Sequence, residues 1–316
     1  MQKRKLGKST IEVYPLAFGG NVLGWTIGEK DSFEVLDAFM EAGFNFIDTA
    51  NSYSRWAPGH QGGESETILG KWMKERNNRD KIILATKVGS DMGIGKICLA
   101  KKYIIEEVEN SLQRLQTDYI DLYQAHFDDL ETPVGETLEA FNILIKQGKV
   151  RIIGASNFSA SRLTEALDYS ENNGLPSYLT FQPEYNLYAR EKYEKEYEQI
   201  CTDRKLGVIT YFSLASGFLT GKYRGEKDKT KSVRGDGMQK YFNKRGFKIL
   251  ETLDILASKY GVTQAAIALA WLMNRPSVIA PIASATSIIQ LNQIADFPDV
   301  NLDKADIELL TTASEY

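Results

Sequence analysis

Four residues in the first half of the chain have the side-chain types needed to put a proton on an oxygen: Asp48, Tyr53, Lys87 and His126. Asp48 follows the short run Phe44-Asn45-Phe46-Ile47, and Tyr53 stands on the loop after it. Lys87 follows Ile82-Ile83-Leu84-Ala85-Thr86, and His126 follows Tyr119-Ile120-Asp121-Leu122-Tyr123-Gln124-Ala125. Each run reads as a strand, so three strands deliver the four side chains at the same kind of position. In one parallel sheet they would converge on one face. A phenol ionises near pH 10 and is a poor acid at neutrality. An ammonium beside it favours the phenolate and lowers its pKa, and a carboxylate beyond the ammonium would hold Lys87 charged and in place. Tyr53 is then a general acid toward an oxygen gaining charge, and His126 orients or polarises that oxygen. Carbonyl reduction has this requirement, since hydride reaches carbon while a proton reaches oxygen. No side chain donates hydride, so a nicotinamide cofactor is expected.

The elements that must position these residues alternate along the chain. A small hairpin is expected over residues 5–13, turning at Gly7-Lys8-Ser9. Strands are expected at 14–18, 44–47, 82–86, 119–125, 150–155, 178–181, 208–212 and 278–280. Between them lie helical apolar stripes: Phe33, Leu36 and Met40; Ile68, Leu69, Trp72 and Met73; Ile104, Val108, Leu112 and Leu115; Leu138, Phe141 and Ile145; Leu163, Ala166 and Leu167. Helices over 247–260 and 263–274 follow, the second stopped by Pro276. Eight strands alternating with helices predict an α/β fold, a (β/α)8 TIM barrel with a short N-terminal β-hairpin, in which the working face is the C-terminal end of the strands. A doubly wound sheet would want Gly-x-Gly-x-x-Gly after its first strand, and Phe18-Gly19-Gly20-Asn21-Val22-Leu23-Gly24 lacks that spacing. With no linker or composition shift, residues 1–316 are expected to form a single domain.

Composition narrows the function classes. The 43% hydrophobic and 25% charged content is that of an ordinary globular chain. A net charge of −4 argues against nucleic acid or an anionic membrane as the main partner. No run of about 18 apolar residues is present, and the basic start, Met1 to Leu6, has no apolar core behind it as a signal peptide would. Cys98 and Cys201 make neither a disulfide framework nor a zinc spacing, which suits a reducing cytoplasm. Two histidines without paired carboxylates leave too few ligands for a metal hydrolase, so no metal is expected.

The chain resembles the aldo-keto reductases from end to end. The resemblance is carried by Gly43 to Ala50 with Tyr53, Gly63-Glu64-Ser65-Glu66 with Leu69-Gly70, Thr86-Lys87-Val88, Gln124-Ala125-His126, Gly148-Lys149-Val150-Arg151, Gly154-Ala155-Ser156-Asn157-Phe158, Gln182 with Tyr185-Asn186-Leu187, and Tyr211 to Gly217 with Leu219-Thr220-Gly221-Lys222. The long segment after the seventh strand is most similar to the branch holding bacterial general-stress reductases and potassium-channel β-subunits. The resemblance implies that Ser156, Asn157 and Gln182 hydrogen-bond the nicotinamide carboxamide and that Tyr211 stacks on its ring. It further implies that Ser213, Leu214, Ser216, Gly217 and Lys222 meet the pyrophosphate, where small residues let backbone N–H groups approach, with Phe212 a further cofactor candidate. Gly20 and Asn21 are cofactor candidates too. Arg224 and Arg234 belong to a polar segment expected to fold over the cofactor, and Ser284, Thr286 and Gln290 match positions that handle the adenosine phosphate and ribose. Departures fall at that end: Ser284-Ala285-Thr286 replaces the usual Gly-Ala with a following cation, and Ile294 stands where an Asn is usual. NADPH is favoured over NADH, with Lys222 and Arg234 as substitute cations.

Taken singly, each residue has a plainer use. Asp48 would cap a helix, Tyr53 would pack at the barrel mouth, Lys87 would make an ion pair, and His126 would be a hydrogen-bonded structural histidine. Only the set, in its motif context, argues for chemistry. Trp25, Arg55 and Trp56 are expected at the mouth as substrate contacts, and His60 on an exposed loop. The run from Tyr188 to Tyr197 reads as a charged helix surface. The expected activity is NADP(H)-dependent reduction of small aldehydes or ketones. The alternative is a cofactor-binding regulatory subunit with slow turnover. Oligomeric state stays open.

Overall fold

The computed structural model describes all residues, Met1–Tyr316. Strands β1 (Arg4–Lys5) and β2 (Glu12–Val13) pair antiparallel as the expected hairpin. Eight parallel strands then close a barrel: β3 (Ala17–Gly19), β4 (Phe46–Asp48), β5 (Ile83–Val88), β6 (Ile120–Ala125), β7 (Val150–Ser156), β8 (Tyr178–Gln182), β9 (Gly207–Thr210) and β10 (Val278–Ala283), with β10 returning to β3. Around them run α1 (Glu29–Glu41), α2 (Glu64–Arg76), α3 (Lys101–Leu115), α4 (Val134–Lys146), α5 (Ala160–Asn173), α6 (Glu198–Arg204), α7 (Lys244–Tyr260), α8 (Gln264–Met273), α9 (Ile288–Ala295) and α10 (Lys304–Ala313). The chain therefore folds as a (β/α)8 TIM barrel with an added hairpin. No single helix is long and apolar enough to cross a membrane.

Side chains alternate in direction along a strand, so residues two apart share a face. This spacing builds the barrel interior in layers. Phe46, Ala85, Leu122 and Ile209 form an apolar lower layer with Leu6, Ile11 and Val13 of the hairpin. The hairpin thus stoppers the N-terminal end of the barrel, which its sequence did not reveal. Two residues further along three of those strands stand Asp48, Lys87 and Gln124, all buried. One more step along β6 reaches His126. The register puts Lys87 beside Gln124 and Gln124 beside Gly154, so the polar residues sit level across the strands.

Three local expectations are revised. The seventh strand ends at Thr210, because Phe212 takes a left-handed φ of 51° that no strand accommodates. The eighth runs on to Ala283. In the run from Tyr188 to Tyr197, the expected outer pair of Glu191 and Lys195 is present at 2.7 Å. A π-helical turn over Tyr193–Tyr197, however, points both terminal tyrosines inward, against Tyr185 and Phe181.

Gly70 brings α2 onto the end of α3: a Cβ there would lie 2.2 Å from the Arg114 carbonyl oxygen. Backbone cannot yield as a side chain can. Gly70→Ala is therefore expected to destabilise the protein by about 1–3 kcal/mol, the usual cost of overpacking, read as a lowered denaturant midpoint.

Candidate active site

Asp48, Tyr53 and Lys87 meet at the C-terminal rim of β4 and β5. Lys87 is sealed from solvent, and its Nζ donates to Asp48 Oδ2 at 2.6 Å, the Thr49 carbonyl at 2.8 Å and the Tyr53 hydroxyl at 2.8 Å. An ammonium has three protons, and each has an acceptor. Asp48, equally sealed, accepts on Oδ1 from Gln124 Nε2 at 3.1 Å and Gln182 Nε2 at 2.9 Å. Its carboxylate thus meets a cation at one oxygen and two amides at the other. A second buried carboxylate, Glu66 on α2, accepts from Thr86 at 2.5 Å and from the Arg114 guanidinium at 2.6 Å. Its charge supports the Lys87 ammonium from behind.

Burial sets the proton states. The Tyr53 phenol is pushed well above its usual range, first by burial and then by the Asp48 carboxylate. The sequence expectation of a lowered Tyr53 pKa is corrected here: in the resting site the phenol keeps its proton, because desolvation of a phenolate outweighs the nearby ammonium. Burial also pulls the Lys87 ammonium down, with Asp48 opposing. His126 is driven well below its usual value by burial and by Lys87, so its ring is neutral. Its ring lies 6.0 Å from that of Tyr53, and its Nδ1 is buried without a partner, leaving Nε2 as the nitrogen that can serve the mouth.

On the neighbouring rim, Ser156, Asn157, Gln182 and Tyr211 form one hydrogen-bonded row. Ser156 Oγ donates to the Gln182 carbonyl, Asn157 Nδ2 to Ser156 Oγ, and the Tyr211 hydroxyl to Asn157 Oδ1 at 2.9 Å. Asn157, Phe212, Ala215 and Ser216 all have left-handed φ, as does Gly217. Such clustering of unfavourable backbone marks functional loops. The turn carries the chain past Ser213 and Leu214 and brings the Lys222 ammonium beside Gly217, in no ion pair. Burial raises the Tyr211 phenol to about 12, so it too is neutral.

The remaining candidates divide. Trp25 and Trp56 meet edge to face at 5.4 Å, and Trp56 lies 5.9 Å from the Tyr53 ring with half its surface exposed, so both line the mouth. Arg55 is drawn to the loop after β5, donating to the Asp91 carbonyl at 2.6 Å. Arg234 crosses to the β3–α1 loop, 5.3 Å from the Trp25 ring and 2.7 Å from the Asn21 amide oxygen, while the Asn21 nitrogen faces Ser284 Oγ. Arg224 is held instead by Asp254 of α7 at 2.8 Å. Gly20 has a packing reason of its own, since a Cβ would come within 2.9 Å of Ser65 Oγ. Thr286 donates to Gln290 Oε1 at the start of α9, and Ile294 is buried in the core. His60 is half-buried rather than exposed, with an unpartnered Nδ1. Sequence reasoning gave no role to Gln124 or Glu66. Gln124 was detectable by its two-residue offset from His126, and Glu66 as a carboxylate sharing a helix face with Leu69 and Met73.

A parallel barrel with this rim defines a class, the barrel oxidoreductases, and comparison with known proteins agrees. Residues 15–315 match the Aldo/keto reductase family, and the chain belongs to it. Members of that family are oxidoreductases that use nicotinamide cofactors. Aldo-keto reductase YhdN of Bacillus subtilis (strain 168) is 35% identical over 309 residues, 95% of this chain and 88% of that protein. A probable voltage-gated potassium channel subunit beta of Arabidopsis thaliana is 33% identical over 310 residues, 95% of this chain and 92% of its own. Norsolorinic acid reductase B of Aspergillus parasiticus is 31% identical over 324 residues, 98% and 82% of the two chains.

The neutral state of His126 has a direct readout. An imidazole held below its ordinary pKa of about 6.5 stays unprotonated through mild acid. The His126 ring proton resonance, assigned by comparison with His126→Gln, is expected not to move between about pH 7.5 and about pH 5.5.

Proposed function

We propose that the protein reduces aldehydes or ketones to alcohols with NADP(H), Tyr53 acting as the general acid. The observation that carries this reading is the contact of Tyr53 with an ammonium whose other protons are taken by Asp48 and Thr49. Since Lys87 donates to the phenol oxygen, the phenol's own proton is left to point toward the mouth or, weakly, toward Asp48 at 3.4 Å. When bound, a dihydronicotinamide would supply hydride to the carbonyl carbon. Tyr53 delivers its proton to the carbonyl oxygen as negative charge grows there, and Lys87 stabilises the phenolate left behind. Neutral His126 donates from Nε2 to the same oxygen and holds it in line. Trp25 and Trp56 exclude water on the substrate side. Ser156, Asn157 and Gln182 suit a carboxamide, Tyr211 suits a flat ring, and the small-residue path to Lys222 suits a pyrophosphate. Arg234 is the cation nearest Asn21 and Ser284, and its charge supports NADPH over NADH.

A second reading has a specific support, the 33% identity to proteins named as probable channel β-subunits. In that case the same site would bind cofactor and turn over slowly, its redox state serving as the signal. Cofactor oxidation with a panel of aldehydes separates the two: tight NADPH binding without turnover above background supports the subunit.

Tyr53→Phe is expected to keep NADPH affinity, measured by protein fluorescence, and to lose at least about a hundredfold in turnover, the lower range for a missing general acid. Lys87→Met is expected to fall similarly. An unchanged rate in Tyr53→Phe would reject the mechanism.

A further inference from the structure

Asp48, Gln124 and Gln182 come from three different strands, β4, β6 and β8, and close a ring of hydrogen bonds inside the barrel. Gln182 Nε2 donates to Asp48 Oδ1 at 2.9 Å and to Gln124 Oε1 at 3.2 Å, while Gln124 Nε2 donates to that same Asp48 oxygen at 3.1 Å. All three side chains are buried. A carboxylate only accepts, and the other oxygen of Asp48 is taken by the Lys87 ammonium at 2.6 Å. The amide of Gln182 must therefore turn its nitrogen to Asp48, and both hydrogens of that nitrogen are consumed, one by Asp48 and one by Gln124. Its Oε1 accepts nothing from the protein and is not sealed among the buried partnerless atoms. Turned the other way, Oε1 would face two acceptors, Asp48 Oδ1 and Gln124 Oε1, and the N–H pair would lose both of these partners.

Room for this ring is made by Gly154, the strand neighbour of Gln124. A Cβ on Gly154 would lie 2.1 Å from Thr180 Oγ1 and 3.3 Å from Gln124 Cγ.

We infer that Gln124 is a positioning residue that, together with Asp48, fixes the amide orientation of Gln182, so that Gln182 offers only an acceptor and selects the N–H side of a nicotinamide carboxamide. The inference rests on the nicotinamide reading above. It goes beyond it by making the carboxylate that holds Lys87 also the reference that orients cofactor recognition. Losing Gln124 leaves one Gln182 N–H buried without an acceptor, an unfavourable state that the amide relieves by turning toward the cavity.

The test is a binding measurement, independent of turnover. Protein fluorescence is titrated with NADPH and with its 3-acetylpyridine analogue, which replaces the carboxamide NH2 by a methyl group and so cannot donate to Gln182. The wild-type protein is expected to prefer NADPH by about tenfold, the value of one buried hydrogen bond of roughly 1.4 kcal/mol. In Gln124→Met that preference is expected to shrink about fivefold or more. Gln124→Glu is expected to retain it, because a carboxyl sharing its proton with Asp48 donates to Asp48 and still accepts from Gln182. A purely structural role would weaken both cofactors equally and leave their ratio unchanged. That ratio unchanged in Gln124→Met, or absent in the wild type, overturns the inference while leaving nicotinamide binding intact. Failure of the wild type to bind either dinucleotide overturns the functional reading itself, and the inference with it. If Gln124→Met does not fold, Asp48→Asn serves for binding alone: its amide no longer forces the orientation of Gln182, and a fully retained preference there would refute the idea.

Discussion

A lysine sealed from water with an acceptor for each of its protons is the constraint on which the rest depends. Removing an ammonium from water costs several kcal/mol even after relaxation, and Lys87 recovers it only because Asp48, Thr49 and Tyr53 stand within 2.6–2.8 Å. Asp48 in turn is tolerable in the interior because Lys87, Gln124 and Gln182 surround it. Such a cluster is stable complete and expensive in part. Its consequence is geometric: the Tyr53 oxygen has one defined place at the rim, and the phenol's proton is free to face the mouth.

The barrel supplies that precision through its alternation. A lower layer of apolar side chains, stoppered by the hairpin, gives the interior its cohesion. The polar layer two residues further along the strands then rests on a packed floor, beneath the loops that carry Tyr53, Trp56 and Asn157. The loops themselves are free to take strained forms. Asn157, Phe212, Ala215 and Ser216 hold left-handed φ above that scaffold.

The two sides of the site differ in character. Around Tyr53 burial decides the proton states: phenol protonated, imidazole neutral. Between Ser213 and Lys222 the backbone turns left-handed at Ala215, Ser216 and Gly217, and the Lys222 ammonium stands beside Gly217. Arg234 joins the two sides by reaching from the long segment after β9 to Trp25 and Asn21.

Much of this was legible in the residue order. Apolar runs and helical stripes at their two periods determined the barrel, because strand and helix spacing follow from local geometry alone. The same reading located Asp48, Lys87 and His126 at strand ends, which in a parallel barrel means one rim. What residue order could not supply was anything set by contacts between strands. The sign of the Tyr53 shift depended on how much water the fold excludes, and came out opposite to expectation. The bonding of Gln124 and Gln182 to Asp48 joins residues 76 and 134 positions apart. The engagement of Arg55 by Asp91 and of Arg224 by Asp254 removed two free cations that composition alone had left available. Local pattern therefore determined which elements form and in what order. The closed barrel decided how deeply each group is buried and which partner it meets, and those are the quantities that control its charge.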